Sequence, residues 1–207
     1  MKIALLAKKG GVGKSTLTIL LHEALRLAGK QVQVRDWDTQ GTSSKALELI
    51  LPDAAAGGTG TILLYDTPPN LEHIATAAAV RDADVALVIT TPSPADIWEA
   101  TGAVRFVSAR NPDCVVRVVY NKVRKSTILG RLAEQGTTDL GCPALSVRLS
   151  ARECFQHALA QGWTALDAAA REEVLQLGLA VLSLYVDNTV SSDYGDSSKR
   201  PSRGASA

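Results

Sequence analysis

Lys8-Lys9-Gly10-Gly11-Val12-Gly13-Lys14-Ser15-Thr16 decides how the rest of this chain is read. It follows a short apolar run, Ile3 to Ala7, and precedes a helical pattern from Leu17 to Leu27. A strand, a glycine-rich turn and a helix in that order build a site for phosphate. Glycines let the backbone fold tightly enough for several N–H groups to converge on one anion. The start of the following helix adds its partial positive charge. Lys14 then has the reach for the outer phosphates of a nucleotide, and the Ser15 hydroxyl is a ligand for Mg2+. Gly10, Gly11, Val12, Gly13 and Thr16 complete the cradle. The strict phosphate-loop pattern wants glycine where Lys8 stands. The fit therefore rests on Gly13-Lys14-Ser15 and on the strand–turn–helix context.

Two further strand ends carry acid. Gln31 to Asp36 reads as a strand running into Trp37-Asp38-Thr39-Gln40-Gly41. Thr61 to Asp66 is an apolar run that ends in aspartate and is followed by Thr67-Pro68-Pro69. Ligands of an open parallel sheet bind outside the carboxyl ends of its strands. A Mg2+ that bridges phosphates needs a hard oxygen nearby, which assigns Asp66 to the metal through a water, opposite Ser15.

Apolar runs at 84–90 and 114–120 predict two more strands, and Cys142 to Val147 a shorter one. Helical spacing predicts helices over 15–28, 43–51, 70–81, 124–134 and 165–184, and one that starts within 91–96 and runs to about 110, with Pro52 to Gly60 a small-residue loop. Strands alternating with helices imply right-handed crossovers and a parallel sheet. The expected class is α/β, a three-layer P-loop NTPase fold with a mostly parallel, helix-flanked central sheet. Its single ATPase-type domain would span 1–184. Residues 185–207 lack an apolar period and read as a disordered tail.

Of the 207 residues, 46% are hydrophobic but only 4% aromatic, so the core must be Leu, Val, Ile and Ala. That composition suits strands covered on both faces. The net charge of +1 says little, but residues 101–152 hold nine Lys/Arg against three Asp/Glu, leaving the remainder at −5. Such asymmetry points one face at an anionic partner. Cys114, Cys142 and Cys154 have no metal or redox spacing and read as thiols of a reduced, cytoplasmic protein. Met1-Lys2-Ile3 leads directly into the first strand, so no secretory signal is expected, and no uninterrupted apolar run approaches transmembrane length.

Lys9 to Thr16 resembles the deviant Walker A motif of the ParA/MinD superfamily of ATPases, and the chain looks most like the small partition members. Asp36-Trp37-Asp38-Thr39-Gln40 resembles that family's switch I, with Thr39 where proline is usual. Asp66-Thr67-Pro68-Pro69 resembles its switch II, and Thr91-Pro92-Ser93-Pro94 a segment near its dimer interface. The resemblance implies ATP and Mg2+ as cofactors. It implies Lys9 as the lysine that crosses a dimer interface to the partner's ATP. Asp38 would orient the attacking water, a role that asks for little beyond a well-placed acceptor. Asn121 would contact the adenine, and Arg152 would lie beside the base. The residue-level alternatives are a solvated loop charge for Lys9, strand caps for Asp36 and Asp38, a simple turn at Asn121-Lys122, and a surface-packed arginine at 152.

The implied cycle is a nucleotide switch: an ATP-bound homodimer holds DNA without reading sequence, and a small centromere-binding adaptor triggers hydrolysis and release. The protein would be associated with the nucleoid. Arg110, Arg117, Lys122, Arg124, Lys125 and Arg131, with Arg105, are the candidate DNA contacts, since phosphate binding asks only for clustered positive charge. A solvated face is the competing account of these residues. A MinD-like membrane-cycling ATPase, or another positioning ATPase of the superfamily, is the alternative. It would need a basic amphipathic helix at the C-terminus, and no membrane contact is expected here. A metal-delivery or nitrogenase-reductase-like role would need paired cysteines. A non-enzymatic, nucleotide-gated scaffold stays open, because Lys8 and Thr39 depart from common patterns.

Overall fold

A computed structural model describes residues 1–50, 61–135 and 140–195 of the chain. Its elements run β1 (Lys2–Leu6), α1 (Lys14–Leu27), β2 (Val32–Asp36), α2 (Thr42–Ile50), β3 (Ile62–Asp66), α3 (Ile74–Asp82), β4 (Val85–Thr90), α4 (Pro94–Arg110), β5 (Val115–Tyr120), α5 (Ile128–Gln135), α6 (Cys154–Gln161), a 3-10 turn (Gly162–Ala165) and α7 (Ala168–Gly195). Every strand pair is parallel, and the order is β2-β3-β1-β4-β5. The sheet is thus all-parallel among the described residues, one step stricter than the mostly parallel sheet expected.

Alternation along β1 shows why the fold has three layers. Ile3 and Leu5 enter one core with Leu17, Leu20 and Leu21 of α1, Phe155 of α6 and Val174, Leu177 and Val181 of α7. Ala4 and Leu6 enter the other with Ala79 and Val80 of α3 and Ala100, Ala103, Val104 and Val107 of α4. A strand buried on both faces cannot show the polar alternation of a half-exposed one, which is why these strands read as continuous apolar runs. Each fully buried leucine contributes about 1.5–3 kcal/mol to that packing.

The chain passes from β1 out to β2 and back through β3, then crosses to β4 on the far side of β1. The reversal puts a crevice outside the carboxyl end of β1, where the glycine loop begins.

Two expectations are corrected. Cys142 to Val147 does not form a strand. It pairs with β5 at Val118, with Val118 N–H bonded to Pro143 O at 3.2 Å and Leu145 N–H to Val118 O at 2.8 Å, which makes an isolated bridge at Ala144. Pro143 has no N–H for a ladder, and the segment then runs on irregularly along the edge of β5. The final helix also does not stop at 184, because α7 continues to Gly195. Once a helix is nucleated, each added residue needs only propagation, so polar residues extend it past its apolar stripe. The expected loop at 52–60 and the rest of the expected tail, 196–207, lie outside the described residues.

Candidate functional site

The glycine loop depends on backbone angles that side chains resist. Gly11 has φ 83° and Gly13 φ 94°, and Gly13 opens α1 without any side-chain cap. A Cβ on Gly13 would stand 2.4 Å from Asn121 Nδ2. The first N–H groups of α1 therefore start at a bare turn, the arrangement that receives an anion.

Lys14 and Asp66 lie at the floor. Lys14 Nζ donates to Asp66 Oδ1 at 2.6 Å, with the lysine side chain 7% exposed and the carboxylate fully buried. Asp66 Oδ2 has no hydrogen-bond partner. A buried carboxylate oxygen without a donor is costly and suits a hard cation or its coordinated water. Asp66 is held by β3, and the Thr67 hydroxyl ties the same strand end to Leu5 O of β1 at 2.8 Å.

Switch I is closed around Asp36. Its carboxylate accepts Asp38 N–H and Ser44 N–H, each at 3.0 Å, which pins the loop to the start of α2. Asp38 O then accepts Gly41 N–H at 2.9 Å, and Asp38 Oδ1 accepts Gln40 N–H at 3.1 Å. Thr39 sits inside this turn without proline, and Asp38 faces the cavity.

The cavity has a volume of about 1080 Å³. Lys9 to Thr16, Asp38, Pro69, Thr91 to Ser93, Asn121, Lys122 and Arg124 line it, together with Ala151, Arg152, Phe155, Gln156 and Leu159. The structure thus brings Lys9, Gly10, Gly11, Val12, Gly13, Lys14, Ser15, Thr16, Asp38, Asn121 and Arg152 to one cavity, with Asp66 beneath it.

Four side chains take partners that no local spacing announced. Asn121 Nδ2 donates to Val12 O at 2.8 Å, which braces the loop backbone. Lys122 Nζ donates to Gly11 O at 2.6 Å. Lys122 has φ 56°, the one positive φ outside glycine among the described residues, and Asn121 Oδ1 accepts its N–H at 2.9 Å. Lys9 Nζ pairs with Asp96 Oδ1 at 2.9 Å, and Lys8 with Glu99 Oε2 at 2.6 Å, both on α4. Lys8 thereby gains a partner. Burial would raise the Asp96 pKa, but bonds from the Thr91 hydroxyl and Lys9, with the Lys9 and Lys122 charges, hold it below the usual carboxylate value.

The basic residues do not gather into one patch. Lys122, Arg124, Lys125 and Arg131 lie on the segment from the end of β5 into α5. Arg110 ends α4, at the opposite end of the sheet, with its guanidinium 3.7 Å over Phe106. Arg117 is part-buried in β5 and donates to Val116 O, and Arg131 donates to Ser126 O. The three cysteines are free, and burial pushes the Cys114 thiol up to about 12, which makes it inert. Among the described residues, no helix is long and apolar enough to cross a membrane.

The family described as CobQ/CobB/MinD/ParA nucleotide binding domain matches residues 3–164. Maintenance of carboxysome distribution protein A from Halothiobacillus neapolitanus is 25% identical over 185 residues, covering 79% of this chain and 85% of the relative. Among solved structures, the MinC:MinD cell division protein complex of Aquifex aeolicus superposes with a TM-score of 0.70 at 16% identity, over 88% of this chain and 95% of that one. A putative plasmid partition protein of Borrelia burgdorferi bound to AMPPNP gives 0.68 at 15% identity, over 89% and 99%.

Proposed function

The chain belongs to the CobQ/CobB/MinD/ParA nucleotide-binding family, and we propose that it is an ATP-hydrolysing positioning switch of the ParA type. The observation that carries the reading is the buried Lys14–Asp66 pair with its unpartnered Asp66 Oδ2, set beneath the bare N-terminus of α1. Those residues fit ATP and Mg2+. Ser15 and Asp66 would hold the metal, which when bound neutralises charge on the phosphates. Lys14 would turn from Asp66 to the phosphates, and the loop N–H groups would wrap them. Asp38, aimed by the Asp36 clamp, would orient the attacking water.

Lys9 would leave Asp96 and reach across to the ATP of a second copy, so that nucleotide occupancy favours a homodimer. A ligand shifts such an equilibrium only by its differential affinity for the two states. The dimer would bind DNA through Arg124, Lys125 and Arg131 without reading sequence, placing the protein on the nucleoid, while Lys122 stays on the glycine loop. A small adaptor protein on the cargo would trigger hydrolysis. The Halothiobacillus neapolitanus relative is named for carboxysome distribution, which supports a protein-bound cargo alongside a plasmid or chromosome.

DNA binding by the full chain tests this reading. Random-sequence duplex should be retained with MgATP and not with MgADP, with affinity falling steeply as salt rises. Equal binding in both nucleotides, or none at low salt, overturns it.

A further inference from the structure

Outside the phosphate end of the cavity, one carboxylate collects four hydrogen bonds. Glu173, in the second turn of α7, accepts Ser150 N–H at 2.8 Å, the Ser150 hydroxyl at 2.8 Å, and Arg152 Nε and Nη2 at 3.3 and 3.0 Å. Its side chain is 17% exposed. Arg152 Nη1 also reaches Asp167 Oδ2 at 3.4 Å. Asp167 in turn caps α7, its Oδ1 accepting Ala170 N–H at 2.7 Å. The opening turns of α7 therefore clamp residues 150–152.

The clamped segment is a wall of the cavity, because Ala151 and Arg152 line it. Its other side is tied to the strand end that braces the phosphate loop. Ala151 N–H donates to Val123 O at 3.0 Å, two residues from Asn121. Three of the five N–H donors of Arg152 are engaged by the carboxylates of Glu173 and Asp167, which fixes the guanidinium plane. A fixed planar cation beside a cavity suits an aromatic base.

The helix that carries Glu173 is itself held in place. A Cβ on Gly178 would lie 2.9 Å from the Ala24 Cβ, so α7 approaches α1 as closely as glycine allows. Because α1 begins at the glycine loop, α7 touches both the helix behind that loop and the cavity wall at residues 150–152.

We propose that Glu173 is a positioning residue for nucleotide-base recognition, acting through Arg152 and Ser150, and that it makes α7 part of the nucleotide site. The inference rests on the cavity holding a nucleotide. Loss of the Glu173 charge weakens what holds the base and leaves the phosphate cradle untouched.

Calorimetric titration of the full chain with MgATP and with magnesium tripolyphosphate, which lacks base and sugar, separates these effects. For Glu173→Gln, MgATP affinity should fall about tenfold, the scale of one charged hydrogen bond, while tripolyphosphate affinity stays at the wild-type value. Glu173→Ala should enlarge the MgATP loss with the same selectivity. An equal loss for both ligands, or no loss for MgATP, overturns the positioning role while leaving the nucleotide reading intact. A wild-type chain that binds neither ligand overturns that reading and this inference with it.

Discussion

Lys122 Nζ donates to the carbonyl oxygen of Gly11 at 2.6 Å, joining the end of β5 to the glycine loop across 111 residues of sequence. With Asn121 Nδ2 on Val12 O, two adjacent side chains hold two adjacent loop carbonyls. Carbonyls drawn toward β5 turn the Val12 N–H between them the other way, toward an anion, and this links the loop's shape to its chemistry.

Lys122→Met should therefore lower MgATP affinity by about tenfold, the low end for a charged hydrogen bond, because the ammonium is exposed. Calorimetry reads this. With saturating nucleotide, the salt slope of DNA binding should not change. A slope reduced by about one unit would return Lys122 to the DNA contacts.

Lys14→Ala should abolish MgATP binding and also destabilise the fold, because Asp66 is left buried and uncompensated. Breaking such a pair costs about 3–5 kcal/mol. The double variant Lys14→Ala/Asp66→Asn should recover much of that stability in urea unfolding without recovering nucleotide binding. A double variant no more stable than the single one contradicts the pairing.

Asp38→Ala should bind MgATP like the wild type and hydrolyse it at least about 100-fold more slowly, the usual scale of lost general acid–base help. Steady-state phosphate release and nucleotide titration check the two halves. Unchanged turnover would remove Asp38 from the water-orienting role.

Asp96 predicts an acid-range effect. Its folded pKa is depressed despite burial, chiefly by the Thr91 and Lys9 bonds. A depressed carboxylate adds stability that is fully present above its unfolded pKa of about 4 and is lost as pH falls through the folded value. The urea-midpoint difference between wild type and Asp96→Asn should be constant from about pH 5 to 8 and shrink below about pH 4. A difference that persists undiminished into strong acid would contradict it.

The sheet was legible because strands covered on both faces are plain apolar runs, and the cradle because glycine, lysine and serine are adjacent in sequence. Lys122 and Glu173 were not legible. Each acts across the fold, on Gly11 and on Ser150 and Arg152, and no local spacing announces such pairings. The 142–147 segment misled because Ala144, Leu145 and Val147 look like strand residues, whereas a ladder needs consecutive N–H donors beside a partner, and Pro143 supplies none. Lys8 made sense only once α4 put Glu99 beside it.

The central claim is that ATP occupancy is reported as dimerisation through Lys9. Light scattering of the 21.8 kDa chain with MgADP, MgATP and a non-hydrolysable analogue tests it most directly. The account predicts a monomer in MgADP, a dimer with the analogue, and a monomer in every nucleotide for Lys9→Ala. One mass across all nucleotide states, or a Lys9→Ala protein that dimerises like the wild type, would contradict it.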